Sequence, residues 1–222
     1  MSMPDQQAGP RFSIVTAVYD VARYLPDFIR SIDAQGFPAD QLEVVAVDDG
    51  SHDESLRLLH DWAARSSYRV TVLTKPNGGQ GSARNVGLAH ARGEWVTFTD
   101  PDDMLDEGYL RAVSAFMAAH PDAQMIATNL ILLDDRTGRT RDEHPLKSRF
   151  KAGNHLVDLD LRPEFFFASA SAAFLRRDRI NRENLRFDER IRPNFEDGHL
   201  CAVYLITGPT RLVGIVAEAR YL

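Results

Sequence analysis

Residues 42–51 read LEVVAVDDGS. A short apolar run rich in β-branched residues, ended by two acids, a glycine and a serine, predicts a buried strand over Leu42–Val47 and a tight turn after it. A strand buried on both faces belongs in a parallel sheet with helices on either side. The neighbouring segments agree. Upstream, Phe12–Val18 (FSIVTAV) has the same character, and Tyr24–Gln35 places Leu25, Phe28, Ile29 and Ile32 at helical spacing. Downstream, Ser51 or Asp53 can cap a helix carrying Leu56, Leu59 and Trp62. Arg69–Thr74 is a third strand, Gly78–Gly81 a flexible loop leading into a helix through Leu88 and Ala91, and Glu94–Thr99 (EWVTFT) a fourth strand. Strands alternating with helices, without hairpin signals, predict βαβ units: an α/β fold with a mostly parallel sheet flanked by helices.

After about residue 120 the alternation loosens. Ala123–Leu133 reads as a strand, Asp134–Arg141 (DDRTGRTR) as a turn, and Phe165–Leu175 as either strand or helix. Residues 196–206 read as a helix and Arg211–Ala217 as a closing strand. The expected organisation is a disordered leader over 1–10 and a single domain over 11–222, whose halves, 11–120 and 121–222, face each other across a cleft.

A chain of 222 residues can bury an extensive core without disulfide staples. Lysine and arginine total 26 against 32 acids, a net charge of −6, which argues against a dedicated nucleic-acid binder. Cys201 is the lone cysteine, so neither an intrachain disulfide nor a cysteine zinc cluster is possible. No apolar run approaches the roughly 20 residues that span a bilayer. Met1–Pro10 has no signal-peptide apolar region. A cytoplasmic protein is the expectation, with peripheral attachment at the inner face of a membrane left open.

In open parallel sheets ligands bind at the carboxyl ends of the strands. Here strand one runs into Tyr19-Asp20, strand two into Asp48-Asp49-Gly50-Ser51, and strand four into Asp100-Pro101-Asp102-Asp103. Acids from separate parts of the chain therefore converge on one edge. A carboxylate pair such as Asp100 and Asp102 suits Mg²⁺ or Mn²⁺, which takes one or two carboxylates plus phosphate oxygens. Taken alone, a solvated acidic turn capping the next helix through Asp103 or Asp106 explains it better. Asp48 or Asp49 could accept a hydrogen bond from a nucleobase or ribose, or form an Asx-turn; Asp53 is assigned to capping. Asn77-Gly78-Gly79-Gln80-Gly81 with Arg84-Asn85 could bring backbone and guanidinium to a pyrophosphate. It lacks the third glycine of a dinucleotide fingerprint, and it lacks the Lys-Ser/Thr of a phosphate-binding P-loop. Glu196-Asp197, at a helix start within Asn194–His199, could supply a general base, or simply favourable first-turn charge. His199, Cys201, Trp62 and Trp95 read as structural.

Taken together these segments resemble glycosyltransferase family 2 and its Rossmann-like GT-A fold. SIVTAVYD over 13–20 looks like the opening strand. Val47–Asp53 matches DDGSxD, and Asn77–Glu94 matches NxG…ARNxGL…AxGE. Asp100–Asp103 matches DxDD, and Glu196-Asp197 the late ED pair. The match covers roughly residues 12–207. The stretches TAVYDVARYL, ATNLILLDD and RFDERIRPNFEDGHLCAVYL further resemble the glycosyltransferase module of actinobacterial proteins that also carry a CDP-glycerol glycerophosphotransferase module of teichoic-acid type. Such relatives continue past the position of Leu222, so a fragment or a stand-alone remnant is expected. Ala17 and Asp20 depart from the family's usual Pro and Asn. The QxxRW motif of processive synthases is absent.

The resemblance implies an inverting transfer from a nucleotide-sugar, most simply a UDP-sugar, to a glycan, polyol-phosphate or lipid-linked hydroxyl. Asp197 would be the general base. Asp102 would hold Mn²⁺ or Mg²⁺, and Asp100 would orient the ribose and the metal shell. Asp48 or Asp49 would read the base, with Ala17 and Tyr19 beside it, while Asn77 and Arg84 would line the nucleotide–phosphate region. Residues 11–120 become the nucleotide-binding half and 121–222 the acceptor side. A second catalytic module or a homo-oligomer would be the protein partner. Two other readings stay open: a degenerate nucleotide- or polymer-binding module without turnover, and a sugar-nucleotide pyrophosphorylase. The latter normally has a glycine-rich loop after its first strand, where this chain has Ala17–Asp20.

Overall fold

A computed structural model describes residues 9–192 and 195–222. Most of the expected leader (residues 1–8), and Asn194 ahead of the ED pair, lie outside the described residues. The first half alternates strand and helix: β1 (Phe12–Val18), α1 (Leu25–Asp33), β2 (Leu42–Asp48), α2 (Ser55–Arg65), β3 (Arg69–Thr74), α3 (Gln80–His90), β4 (Trp95–Thr97) and α4 (Tyr109–Ala119). The second half adds β5 (Met125–Leu130), β6 (Leu132–Leu133), β7 (Thr140–Arg141), β8 (His155–Asp158), β9 (Ala173–Arg176), α5 (Arg177–Arg182), α6 (Glu196–Thr207) and β10 (Leu212–Tyr221).

Among the described residues one sheet of eight strands runs in the order β3-β2-β1-β4-β9-β5-β10-β8. Strands β3, β2, β1 and β4 are parallel, as are β5 and β10. Strand β9 is antiparallel to both β4 and β5, and β8 is antiparallel to β10. The two halves thus share one sheet and one hydrophobic core. Every residue of β1 and β2 is buried, which is why these strands lack inside–outside alternation. The register pairs Val18 with Asp48 and Asp48 with Thr74, so the first three strands end level with one another. Trp62 and Trp95 are core residues, and so is Cys201.

Close packing explains one motif glycine. Helix α3 lies against β1 and β2, and a Cβ at Gly87 would collide with the Val15 side chain. The glycine in ARNxGL therefore brings α3 down onto the sheet.

Several local expectations are revised. Ala123–Leu133 is two strands, broken at Ile131, whose amide is taken by the Tyr221 carbonyl at 2.8 Å. The turn at Asp134–Arg141 closes the small β6–β7 hairpin. Of Phe165–Leu175, only Ala173–Leu175 enters a strand, and it runs antiparallel. Neither Asp103 nor Asp106 caps α4, whose N-cap is Gly108 in a left-handed conformation. Asp53 is not the N-cap of α2. Its carboxylate instead accepts from the amides of Ser55 and Ala22, both at 2.9 Å, tying the turn after β1 to the turn after β2. Strand β10 runs four residues further than expected, to Tyr221. No described helix is long and apolar enough to cross a membrane.

Candidate active site

The level strand ends open onto a cleft of about 250 Å³. Ala17 and Tyr19 reach it from β1, Asp49 from β2, Asn77 and Gly79 from the loop after β3, and Asp102 from the loop after β4. Of the sequence-nominated residues, Ala17, Tyr19, Asp49, Asn77 and Asp102 line this space; Asp48, Arg84, Asp100 and Asp197 do not.

Adjacent carboxylates do different jobs. Asp48 folds back on its own turn and accepts from the amides of Gly50 (3.2 Å) and Ser51 (3.3 Å), the Asx-turn geometry. Asp49 turns the other way. It is buried and accepts from Lys75 Nζ (2.6 Å) and from the amides of Gly78 (3.0 Å) and Gly79 (2.7 Å). It thereby pins the glycine loop to the cleft floor, and Gly79 can follow only because its φ of +88° costs glycine nothing. An Asp49→Ala substitution leaves two amides and a largely buried ammonium without their acceptor. It should lower unfolding free energy by about 2–4 kcal/mol. Asp48→Ala, which releases only the half-buried amides of its own turn, should cost about 1 kcal/mol. Urea denaturation of the two variants side by side checks the order.

The acidic loop after β4 meets a buried cation. Asp100 Oδ1 accepts from Gln80 Nε2 at 2.9 Å and from Arg84 at 2.5 Å. The same guanidinium donates to Glu196 Oε1 at 2.8 Å and lies over the Phe187 ring, 5.4 Å from its centroid. Arg84 is only 3% exposed, so it is a buried clamp between the two halves of the chain. Burial raises the Asp100 carboxyl above the ordinary carboxylate range despite Arg84, and the charges of Asp102 and Asp197 push it the same way. Asp103 is pushed up to about 7 by burial and by its neighbours Asp100 and Asp102.

This excess negative charge, beside an Asp102 that faces the cleft, fits a divalent cation. Among the described residues no three His, Cys, Asp or Glu side chains form a ready-made cage. Mg²⁺ and Mn²⁺ do not need one, since they are commonly held by one or two carboxylates shared with phosphate oxygens.

Asp197 is half-buried in the first turn of α6. Its Oδ1 accepts from the Gly198 amide at 2.7 Å. The residue before the pair, Phe195, takes a φ of +77° and is 81% exposed. A left-handed aromatic is strained, and such strain gathers at functional sites.

Some structural partners had no role at the sequence level. Asn85 forms a reciprocal pair with the Phe187 backbone, donating to its carbonyl at 3.0 Å and accepting from its amide at 2.9 Å. The Asn of ARN therefore ties α3 to the segment leading into the ED pair. Lys75 and Gln80 hold Asp49 and Asp100. Tyr221 contacts the acidic loop from the far end of the chain. For Asn85 the motif was a signal; for the other three none was visible.

A mostly parallel sheet thus carries the acid loop at its strand ends, with a second carboxylate pair on a later helix. The chain belongs to glycosyl transferase family 2, whose family model matches residues 13–182. It is 31% identical over 211 residues to the minor teichoic acid biosynthesis protein GgaB of Bacillus subtilis, covering 95% of this chain but 22% of that protein. It superposes on Staphylococcus aureus TarS 1–349 in complex with UDP-GlcNAc with a TM-score of 0.79 and 25% identity, covering 95% of this chain and 57% of that one. The mannosyltransferase PcManGT of Pyrobaculum calidifontis, solved with GDP-Man and Mn²⁺, shares the fold at a TM-score of 0.67 and 22% identity, over 94% of this chain and 57% of that one. The GT-A fold follows. The chain spans about a fifth of the length of GgaB.

Proposed function

We propose that this chain is the catalytic domain of an inverting glycosyltransferase. It moves a sugar from a UDP-sugar to a hydroxyl of a cell-wall polymer of teichoic-acid type. The observation that carries this reading is the convergence of Asp49, Asn77 and Asp102 on one cleft, with Arg84 joining Asp100 of the acidic loop to Glu196, the neighbour of Asp197. The likeness to GgaB, and to TarS bound to UDP-GlcNAc, supports the polymer class and the donor base.

In this reading the base sits between Ala17, Tyr19 and the Asp49 carboxylate. Asp49 is the base reader and Asp48 the turn-former beneath it. Asn77 lines the path of the phosphates. Asp100 orients the ribose, while Arg84 acts from behind by holding Asp100 in place. Asp102 would hold Mn²⁺ or Mg²⁺, which when bound offsets charge on the departing diphosphate. Asp197 takes the proton from the acceptor hydroxyl as it attacks the anomeric carbon. One base suffices for a single displacement, whereas a double-displacement glycosidase needs two carboxylates flanking the bond. The domain would work in the cytoplasm, peripheral to the inner face of the membrane, beside a second catalytic module or a second copy.

Calorimetric titration with UDP, GDP and CDP, with and without Mn²⁺, tests the donor site. Mn²⁺-dependent binding of UDP is expected. Asp102→Ala should erase the metal-dependent increment, about tenfold or more in Kd. Binding of none of the three nucleotides would overturn the reading in favour of a degenerate module.

A further inference from the structure

Strand β10 pairs with β5 in register as far as Val216 opposite Thr128 and resumes with Arg220 opposite Asn129. Residues 217–219 have no counterpart on β5. The bulge is held by a side chain: Asn154 Oδ1 accepts from the Ala217 amide at 2.8 Å and from the Glu218 amide at 3.4 Å. Bulges of this kind re-aim the residues that follow them.

Past the bulge the chain runs along the acidic loop. Leu222 and Met104 exchange both backbone hydrogen bonds, at 2.8 and 2.7 Å, and the Asp106 amide donates to the Arg220 carbonyl at 3.0 Å. Arg220 also pairs with the Asp106 carboxylate at 3.0 Å. Tyr221, 3% exposed, is buried against this loop. Its hydroxyl oxygen accepts from the Asp100 amide at 2.9 Å. The start of Asp100-Pro101-Asp102-Asp103 is therefore tied to this hydroxyl and the residue after it to the Leu222 backbone, and Asp102 is left facing the cleft between them.

Given the assignment of this loop to the donor site, we propose that Tyr221 is a positioning residue for the reaction: its hydroxyl sets the shape of the acidic loop and so the place of Asp102. Tyr221 touches neither donor nor acceptor. It acts through the loop, from a strand some 120 positions away in the chain.

The test is Tyr221→Phe, which keeps the ring and removes the hydroxyl. Two readouts are taken. In the nucleotide-free protein, hydrogen exchange at the Asp100 amide should speed up about tenfold, because its one acceptor is gone. In titrations, the Mn²⁺-dependent part of UDP affinity should weaken by about tenfold, while affinity in EDTA changes less than about twofold. Tyr109→Phe is the control. Its hydroxyl is equally buried but bonds Thr128 Oγ1 at 2.9 Å rather than the acidic loop. It should lower the melting temperature and leave the metal-dependent increment intact. Unchanged exchange at Asp100 overturns the proposal, whatever nucleotide binding shows. So does an unchanged Mn²⁺ increment in a variant whose wild type has one, or an equal loss in both Phe variants. A wild type without Mn²⁺-dependent binding would instead overturn the donor-site reading, and exchange alone would then decide whether Tyr221 holds the loop.

Discussion

Asp197→Asn should reduce sugar transfer by about 10²–10⁴-fold, the usual contribution of a general base, while UDP affinity stays within about twofold of wild type. Asparagine is close to isosteric. Its Oδ1 can still accept from the Gly198 amide, which now bonds Asp197 at 2.7 Å, and only the long 3.4 Å bond from the Ala170 amide to Oδ2 is lost, so the start of α6 should hold its shape. What asparagine cannot do is take a proton from the acceptor hydroxyl. The expected signature is a loss in kcat with donor binding unmoved, since Asp197 lies outside the cleft that Asp49 and Asp102 line, and at most a small fall in melting temperature from the lost Ala170 bond. Steady-state turnover with a UDP-sugar and an isolated polymer acceptor, beside a UDP titration, measures both quantities. Turnover within about threefold of wild type would remove Asp197 from the base role, because no general base is worth so little. A parallel collapse of UDP affinity would mean that Asp197 belongs to the donor site.

Arg84→Ala should be the most destabilising single change in the site, by about 3–5 kcal/mol, the cost of breaking a buried ion pair from one side. Arg84 neutralises two carboxylates at once, Asp100 and Glu196, and Glu196 is itself only 4% exposed. Lysine should rescue little, because a point charge cannot reproduce a fork that bonds in two directions. The loss should depend on pH. Burial already raises the Asp100 carboxyl, and without Arg84 it rises further. The folded variant then binds a proton more tightly than the unfolded chain does, so its stability deficit narrows as pH falls and widens as pH rises. Urea denaturation of both proteins between about pH 5 and 8 reads this directly. A deficit under about 1 kcal/mol at neutral pH, or one that widens on acidification, would show that the clamp carries no charge burden.

The parallel half of the fold was legible because its signals are local. Phe12–Val18 and Leu42–Val47 are apolar without alternation, and the helices between them show their buried faces at helical spacing. Each boundary lies within a residue or two of a turn-forming cluster. The second half was less legible. Residues 165–175 are apolar and small, compatible with strand or helix. The choice was made by two partners far away in the chain, since β9 is strand only where it fills the space between β4 and β5. The extension of β10 past Ala217 was hidden for the same reason. Its last residues pair with the acidic loop and with Ile131, contacts that leave no periodic trace in the sequence.

The candidate site divides along the same line. Residue order was enough to read which chemistry is present: carboxylates at the ends of three early strands, a glycine loop after another, and an acid pair opening a late helix. Strand ends in a parallel sheet share an edge, so their convergence followed from topology alone. What each group does was settled by folding. It turned Asp48 into its own loop and Asp49 into the cleft, and it buried Arg84 between Asp100 and Glu196. It also brought Tyr221 against a loop some 120 residues earlier. A side chain's bonding and charge depend on the burial and partners that folding supplies, and those partners come from any distance along the chain.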